Sequence, residues 1–202
     1  MDEVRILDAD GVPITWREVL QAYAERCFPM AETRSGALRW YRPRERAVIT
    51  WSRWRVPKSL RKLLRHEPFR ITRNAAFPAV IAGCAARGDT WISHDVERLY
   101  CDLHRRGWAH SVEAWQGETL VGGLYGLSLG AAFCGESMFH RVSDASKACL
   151  VDLVEHLRAC DFAFLDIQQD SEHLRRFGSA PVDDAAYAAM LAPCLERYPA
   201  FA

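Results

Sequence analysis

The sequence predicts an α+β fold with a mixed sheet. Amphipathic helical patterns dominate the first half of the chain, and residues 111–139 show the pattern of three consecutive strands. A long helical pattern then precedes a short apolar strand. The order helix, meander, helix, strand predicts a sheet that contains both antiparallel and parallel strand pairs. No internal repeat, low-complexity segment or long linker interrupts this order.

The first predicted helix covers residues 15–25. Thr15 followed by Glu18 forms a capping-box pattern, and the amphipathic segment that follows ends at Phe28-Pro29. Residues 38–51 then favour extended structure because they are rich in β-branched and aromatic side chains.

A short basic helix is predicted to begin at Pro57, with leucines on one face and cations on the other. Residues 69–72 are predicted to form a strand. Residues 75–87 form the next predicted helix, which a glycine ends. A further helix begins at Ser93 or His94 and continues to residue 106.

The strands of the meander are predicted at residues 111–115, 119–129 and 131–139. The second strand contains three glycines, which are unusual inside a strand. They indicate bulges or a place where another part of the structure approaches the backbone closely: Gly122, Gly123 and Gly126.

Asp144 is predicted to cap a long helix that ends near Cys160, since apolar residues recur at helical spacing after it. Residues 162–167 form an apolar strand. A short helix at residues 171–177 and a last helix at residues 183–197 complete the predicted order.

The composition is that of a globular protein. The chain has 202 residues, of which 50% are hydrophobic and 26% are charged. No apolar run reaches the length of a membrane span and no secretory pattern is visible, so we expect a cytoplasmic protein. The seven cysteines form no C-x-x-C pair and the seven histidines show no metal-binding spacing. We therefore expect free thiols and no metal.

The net charge of zero conceals a basic segment. Residues 42–74 contain eleven Lys or Arg residues and two Glu residues. Such a segment is either a phosphate-binding surface or a solvated helix face, and charge alone does not decide between them. Trp51, Trp54 and Phe69 lie within it and could stack on bases, although core packing is the commoner role of such residues.

Three polar side chains lie at the ends of predicted strands. Glu136 follows an apolar run near the end of the third meander strand, and Asp166 and Gln168 close the strand that begins at residue 162. Residues two apart in a strand share a face, so the last two point the same way. If the two strands are neighbours, the three side chains converge on a ligand site. The alternatives are an exposed Glu and a turn cap.

The start of the long helix is a second candidate site. Asp144 and Lys147 lie at its N-terminus, where free N–H groups could hold an anion or a carbonyl group with help from the lysine. A plain Asp N-cap explains Asp144 but not Lys147. Neither a P-loop nor a dinucleotide-binding fingerprint is present.

Several motifs together resemble the leucyl/phenylalanyl-tRNA–protein transferase family. They keep their order and spacing from about residue 15 to the end of the chain. The longest are His110-Ser111-Val112-Glu113-Ala114-Trp115, Leu120-Val121-Gly122-Gly123-Leu124-Tyr125-Gly126, Phe133-Cys134-Gly135-Glu136-Ser137-Met138-Phe139 and Asp144-Ala145-Ser146-Lys147.

This resemblance implies a fold and an activity. The expected fold is a C-terminal domain similar to the GCN5-related N-acetyltransferases at residues 73–202, preceded by a small α/β domain at residues 1–72. The implied reaction moves leucine or phenylalanine, and methionine weakly, from aminoacyl-tRNA to proteins that begin with Lys or Arg, which marks them for the N-degron pathway. The resemblance implies no cofactor, and we expect a monomer.

The resemblance also assigns roles to residues. It implies that Glu136, Asp166 and Gln168 are catalytic. The implied aminoacyl pocket consists of Leu124, Phe133, Met138, Leu150, Leu157 and Leu165. Substrates would enter past Trp40, Tyr41 and Trp115. The implied tRNA-binding residues are Arg53, Arg55, Lys58, Arg61, Lys62 and Arg65.

The sequence departs from the family at a few positions. Trp40-Tyr41 replaces a Trp-Trp pair, and Asp166-Ile167-Gln168-Gln169 replaces Asp-Cys-Gln-Val. Phe177-Gly178-Ser179 replaces Leu-Gly-Ala, and the N-terminal glycine-rich segment of the family is missing. These changes leave open an altered amino-acid or acceptor preference. A CoA-dependent N-acyltransferase is a further alternative, but residues 139–147 lack the glycines of a pyrophosphate loop. A tRNA-binding module without catalysis would not need all three polar residues.

Overall fold

The computed structural model describes residues 6–201 of the chain. The strands are β1 (Ile6–Leu7), β2 (Pro13–Ile14), β3 (Phe28–Met30), β4 (Arg39–Tyr41), β5 (Glu45–Thr50), β6 (Arg70–Arg73), β7 (Ala109–Gln116), β8 (Thr119–Leu129), β9 (Ala132–His140), β10 (Phe164–Gln168) and β11 (Ala180–Asp183). The helices are α1 (Trp16–Ala24), α2 (Lys58–Leu64), α3 (Phe77–Ala85), α4 (His94–Arg105), α5 (Ala145–Ala159), α6 (Glu172–Arg175) and α7 (Asp184–Leu191), followed by a 3₁₀ turn at Ala192–Cys194.

A seven-stranded sheet organises the fold. Its strand order is β11-β5-β10-β9-β8-β7-β6, and all neighbours are antiparallel except β9 and β10, which are parallel. Two small two-stranded sheets, β1–β2 and β3–β4, lie outside it. The predicted α+β class with a mixed sheet is therefore confirmed.

Helices cover both faces of this sheet, and each face has its own hydrophobic core. One core contains buried side chains of α1, α3, α4 and α7, and the other contains those of α5 with Leu60 of α2. The predicted amphipathic helices supply these apolar faces, because burial of one apolar stripe per helix stabilises each layer.

The glycines of β8 allow helices to approach the sheet closely on both faces. A Cβ atom on Gly122 would lie 2.6 Å from the Cβ of Ala145 at the start of α5, and one on Gly123 would lie 2.9 Å from the Cγ2 of Val80 in α3. Neighbouring residues of a strand point to opposite faces, so one glycine serves each helix. At Gly126 the pairing of β8 with β9 shifts register, as in a bulge. Both predicted explanations of these glycines are correct.

The large sheet extends across the boundary that was predicted after residue 72. That boundary falls inside β6, and β5 lies between β10 and β11 in the same sheet. The middle residues of β5, Ala47, Val48 and Ile49, are apolar and all buried, although they point to alternate faces, which is typical of a central strand. A division at residue 72 would therefore separate strands that hydrogen-bond to one another.

Most predicted helices form, with corrections at their ends. The capping box of Thr15 and Glu18 is present at α1. Asp144 occupies the position before α5, but its φ of 68° turns its side chain away and it makes no capping hydrogen bond. The last helix ends at Leu191 rather than near residue 197, since Pro193 cannot continue it. Strands β1, β2, β3 and β11 were not predicted.

Within the described part of the chain, no helix combines the length and the apolar character that a membrane crossing requires.

Candidate active site

A cavity of about 370 Å³ opens where β9 and β10 separate. The two strands pair only from Ala132 to Cys134 and from Phe164 to Asp166. Beyond these residues β9 continues beside β8 alone, and β10 ends at Gln168. Parallel strands that separate in this way leave a crevice at their carboxyl ends, which is the usual place for a ligand in a sheet of this kind.

The wall of this cavity is mostly apolar, and its polar groups come from the ends of the two strands. The apolar side chains are Met30, Trp91, Leu124, Met138, Leu150, Leu153, Leu165, Ile167 and Leu174. The polar side chains are Arg87, Tyr125, Glu136, Ser137, Gln168, Gln169, Asp170 and Ser171. An apolar wall with a few convergent polar groups suits a ligand with an apolar side chain beside a reacting polar group.

Glu136 is the carboxylate at the centre of the polar end. Its Oε1 accepts a hydrogen bond from the hydroxyl of Tyr23 at 2.7 Å, and that hydroxyl lies 2.5 Å from the hydroxyl of Tyr100. Its Oε2 accepts a hydrogen bond from Nε2 of Gln168 at 3.0 Å. Burial raises the pKa of Glu136 to about 7, although these hydrogen bonds favour its charged form. The carboxyl group therefore exchanges its proton near neutral pH.

Asp166 lies beside this pair but does not reach the cavity. Its side chain is fully buried. Oδ2 accepts hydrogen bonds from Nη1 of Arg46 and the hydroxyl of Tyr187, both at 2.8 Å, and Oδ1 accepts one from the backbone N–H of Gln168 at 2.8 Å. Burial raises the pKa of Asp166, and the guanidinium of Arg46 opposes that shift. The carboxylate thus holds the backbone of Gln168 in place.

The end of β10 explains how Gln168 reaches Glu136. The pairing of β10 with β5 shifts register between Asp166 and Gln168, and Gln168 has a φ of 58°. A non-glycine residue in this left-handed region needs support from its surroundings. The hydrogen bond from its N–H to Asp166 gives that support. The three predicted catalytic residues therefore lie together, with Glu136 and Gln168 at the cavity and Asp166 behind them.

The predicted aminoacyl pocket divides into two groups. Leu124, Met138, Leu150 and Leu165 line the cavity. Phe133 and Leu157 do not line it and are fully buried in the core on the α5 side of the sheet. Phe133 stacks on the ring of Phe201 with the centroids 5.5 Å apart. Sequence spacing did not separate wall from core because both are apolar.

The three residues predicted to line the substrate entrance are not among the residues that line this cavity. Trp40 and Tyr41 belong to β4 of a small sheet. Trp115 belongs to β7, which lies on the opposite side of β8 from β9. Its indole N–H donates to Oγ1 of Thr72 at 2.8 Å. The tryptophan at the cavity is Trp91, which follows α3 and precedes α4. Aromatic character alone did not indicate which tryptophan the tertiary structure would place there.

The predicted tRNA-binding residues form an exposed basic surface on and before α2. All six side chains are exposed, and none forms a salt bridge within residues 6–201: Arg53, Arg55, Lys58, Arg61, Lys62 and Arg65. We call these six residues the basic surface.

Other members of the basic segment have structural partners. Arg42 pairs with Asp184, Arg46 with Asp166 and Arg73 with Asp152. Among the aromatic residues of the segment, Trp51 donates its indole N–H to the carbonyl of Phe162 and Trp54 stacks on Phe177. The aromatic side chains of Trp51, Trp54 and Phe69 pack against the core on the α5 side. Core packing therefore accounts for part of the surface of each of these three side chains.

Sequence reasoning missed the residues from other elements that contact Glu136 and Asp166. Tyr23 comes from α1, Tyr100 from α4 and Arg46 from β5. Tyr23 and Tyr100 lie on the buried faces of amphipathic helices, so their periodicity predicts burial but not a hydroxyl that reaches Glu136.

Within residues 6–201, no three His, Cys, Asp or Glu side chains are grouped in a way that could hold a metal ion.

Comparison with known proteins shows to which enzyme family the chain belongs. The model of the family described as leucyl/phenylalanyl-tRNA protein transferase matches residues 48–192, which is more than half of the chain. The chain therefore belongs to this family of enzymes. The match includes Glu136, Asp166 and Gln168.

Two curated relatives carry the name leucyl/phenylalanyl-tRNA–protein transferase. The protein of Synechococcus sp. (strain JA-3-3Ab) is 47% identical over 178 residues, which are 88% of this chain and 93% of that protein. The protein of Salinibacter ruber is 46% identical over 181 residues, which are 90% of this chain and 80% of that protein.

A ribosomal-protein-alanine N-acetyltransferase from Brucella melitensis is among the similar solved structures, with 15% identity. The similarity covers 54% of this chain and 84% of that one, with a TM-score of 0.36. That value is too low to support a conclusion.

Proposed function

We propose that the chain transfers leucine or phenylalanine from aminoacyl-tRNA to the N-terminal α-amine of acceptor proteins that begin with Lys or Arg. Methionine is a weaker donor group. Membership of the family and the names of the relatives support the reaction class. The observation that carries the proposal is the hydrogen bond between Glu136 and Gln168 at the polar end of an apolar cavity.

The reaction needs positioning and the movement of one proton. The acceptor nitrogen forms a bond to the carbonyl carbon of the ester, the bond from that carbon to the ribose oxygen breaks, and one amine proton passes to the released hydroxyl. An amide replaces an ester, so the step needs no other co-substrate. Holding amine and ester in the correct geometry accounts for much of the acceleration of such a reaction.

In this proposal, Glu136 and Gln168 bind and orient the attacking amine, which is supported by their position at the polar end of the cavity. An α-amine has a pKa of about 7.7–8.0, and burial raises the pKa of Glu136 to about 7. Two groups with similar pKa values exchange a proton readily near neutral pH. The carbonyl oxygen of Gln168 remains free to accept an amine N–H, because its Nε2 donates to Glu136. Asp166 is a positioning residue in this scheme, since it acts through the backbone of Gln168.

The apolar part of the cavity is the proposed aminoacyl pocket. Leu124, Met138, Leu150 and Leu165 contact the transferred side chain, and Phe133 and Leu157 support the wall from behind. One methylene group in such a pocket contributes only about 1–3 kcal/mol of discrimination. Met138 adapts to different shapes because its side chain is unbranched. Tolerance of both leucine and phenylalanine follows from these properties.

The tRNA contacts the basic surface through its phosphates, with little reading of sequence. The exposure of all six cations supports this contact. The product enters the N-degron pathway, and the enzyme acts in the cytoplasm as a monomer.

A matrix of donors and acceptors tests the proposal. Purified protein is incubated with radiolabelled Leu-, Phe- and Met-tRNA and with peptides that begin with Lys, Arg, Asp or Glu. We expect label on Lys and Arg peptides from Leu- and Phe-tRNA, and less from Met-tRNA. No labelled peptide from any pair refutes the transferase assignment. Label on acidic peptides alone overturns the acceptor assignment, and acyl transfer from acetyl-CoA alone supports the CoA-dependent alternative.

A pair of variants tests the role of Gln168. Gln168→Asn keeps the amide and tolerates a positive φ, but its shorter side chain cannot reach Glu136. We expect kcat to fall by about a hundredfold, which is the cost of misplacing a reacting group by about 1 Å. The matched control is Gln169→Asn, because Gln169 lines the same cavity without a hydrogen bond to Glu136. Equal effects of the two variants would contradict the role.

A further inference from the structure

A second cavity lies beside the candidate active site, between α2, the start of α5 and α6. It has a volume of about 420 Å³. We call it the α2–α5–α6 cavity, and it is lined by Pro57, Ser59, Leu60, Leu63, Asp144, Lys147, His173, Arg176 and Phe177. It shares α5 and α6 with the apolar cavity of the active site, but no lining residue is common to both.

The charged groups of this cavity are mainly cationic. Lys147 and Arg176 line it, and Asp144 is the one carboxylate in the part of its wall that the structure describes. Asp144 is paired with Lys147 at 2.5 Å, whereas Arg176 has no salt bridge within residues 6–201. The ring of His173 lies in the same wall, and burial followed by the charges of Lys147 and Arg176 lowers its pKa. The net charge of the wall is positive at neutral pH.

The backbone at the start of α5 adds to this positive character. The left-handed conformation of Asp144 directs its carboxylate to Lys147, so no side chain of the described residues caps the helix. The uncapped first turn of a fifteen-residue helix carries a partial positive charge. Lys147, Arg176 and the N-terminal end of α5 therefore all contribute positive charge to the α2–α5–α6 cavity, which favours the binding of an anion there.

The cavity lies between the proposed aminoacyl pocket and the basic surface. Lys147 precedes Leu150 of the aminoacyl pocket by three residues on α5, which is about 4.5 Å along the helix. His173 and Leu174 are neighbours on α6 and line different cavities. On the opposite side, Leu60 and Leu63 of α2 line the cavity, while Arg61 and Lys62 of the same helix belong to the exposed basic surface.

We propose that the α2–α5–α6 cavity binds a backbone phosphate in the single-stranded 3′ end of the donor RNA, next to the nucleotide that carries the amino acid. This inference rests on the proposed function, because it takes aminoacyl-tRNA as the donor. The basic surface, the cavity and the aminoacyl pocket then form one continuous path for the end of the RNA. Lys147 and Arg176 contact the phosphate, and Ser59 can donate a hydrogen bond to it.

The test compares two donors that differ in their phosphates. Phenylalanyl-tRNA has phosphates next to the aminoacylated nucleotide, whereas the phenylalanyl ester of adenosine has none. In Arg176→Gln, we expect KM for phenylalanyl-tRNA to rise about tenfold, the effect of one lost charged contact. The slope of log KM against log salt concentration should fall by about 0.7, the value for one phosphate of a single strand. KM for the adenosine ester should not change, which also shows that the variant is folded.

The matched control is Arg158→Gln, which removes an exposed arginine from the far end of α5. It should leave KM for both donors unchanged. Equal changes of KM for both donors in Arg176→Gln, or no change for either, would overturn the inference while leaving the proposed function intact. If free coenzyme A inhibits the wild-type protein but not Arg176→Gln, the cavity binds a pyrophosphate, and the inference is overturned. No product from the wild-type protein with either donor would overturn the proposed function as well.

Discussion

Replacement of Asp166 by asparagine removes one negative charge from the interior with almost no change of shape. The carboxylate is fully buried and accepts hydrogen bonds from Arg46, Tyr187 and the N–H of Gln168. All three partners are donors. An asparagine has one acceptor oxygen and an NH₂ group, so at least one donor then faces another donor. The guanidinium of Arg46, which is only 3% exposed, loses its counter-ion.

The expected cost follows from this burial. Breaking a buried ion pair by removing one partner destabilises a protein by about 3–5 kcal/mol, because the other charge stays buried. For a chain of this size each kcal/mol lowers Tm by about 2–4 °C. We therefore expect Asp166→Asn to lower Tm by about 6–20 °C. The ion pair of Asp184 with Arg26 and Arg42 is partly exposed and screened by water, so Asp184→Asn should lower Tm much less than Asp166→Asn.

Urea unfolding followed by circular dichroism measures both variants and the wild-type protein. The double variant Asp166→Asn with Arg46→Met completes the comparison, because it removes the unpaired guanidinium as well. We expect the double variant to recover part of the stability lost by Asp166→Asn. A loss below about 1 kcal/mol for Asp166→Asn, or equal losses for Asp166→Asn and Asp184→Asn, would refute the assignment of a buried, charge-dependent role to Asp166.

Three further predictions concern other parts of the chain. Burial raises the pKa of Glu136 from 4.5 to about 7, so the stability that its protonation contributes is fully present below pH 4.5 and is lost as the pH rises through 7. In urea unfolding, the free energy of unfolding of Glu136→Gln relative to wild type should therefore increase by on the order of 3 kcal/mol between pH 4 and pH 8. A difference that does not depend on pH would contradict this. Gly126→Ala places a methyl group on a neighbouring backbone carbonyl and should cost about 1–3 kcal/mol, whereas Gly88→Ala, with open space around it, should cost little by the same assay. Charge reversal of Arg61 and Lys62 should weaken tRNA binding and flatten its salt dependence in filter binding at several salt concentrations, and unchanged binding at two of them would exclude a role in phosphate contact.

The meander and the polar ends of its strands could be predicted from local patterns. Strands β7, β8 and β9 lie close to the predicted positions because alternation and turn residues act within a few residues of each other. The proximity of Glu136 and Gln168 required one additional condition, that β9 and β10 are neighbours. The structure satisfies it, since the two strands pair in parallel. The prediction was conditional because strand order is a long-range property.

The surroundings of Glu136 could not be predicted in the same way. Arg46 was counted as part of the basic segment, for which charge alone left a phosphate-binding surface and a solvated face open. The structure instead buries it against Asp166, which is 120 residues away in the chain. Tyr23 and Trp91 reach the site from elements distant in sequence. Nothing in local periodicity states which buried aromatic residue meets a given carboxylate. Only the packing of α1 and α4 on the sheet specifies these contacts.

The sequence by itself determined the α+β class, most of the helices, the meander and the family, because each depends on local patterns or on motifs in fixed order. The tertiary structure decided which apolar residues form a cavity wall and which form core, as Leu165 and Phe133 illustrate. It also decided that Asp166 holds Gln168 from behind while Glu136 faces the cavity. These distinctions depend on where β9 and β10 separate, and hydrophobicity and spacing contain no information about that point.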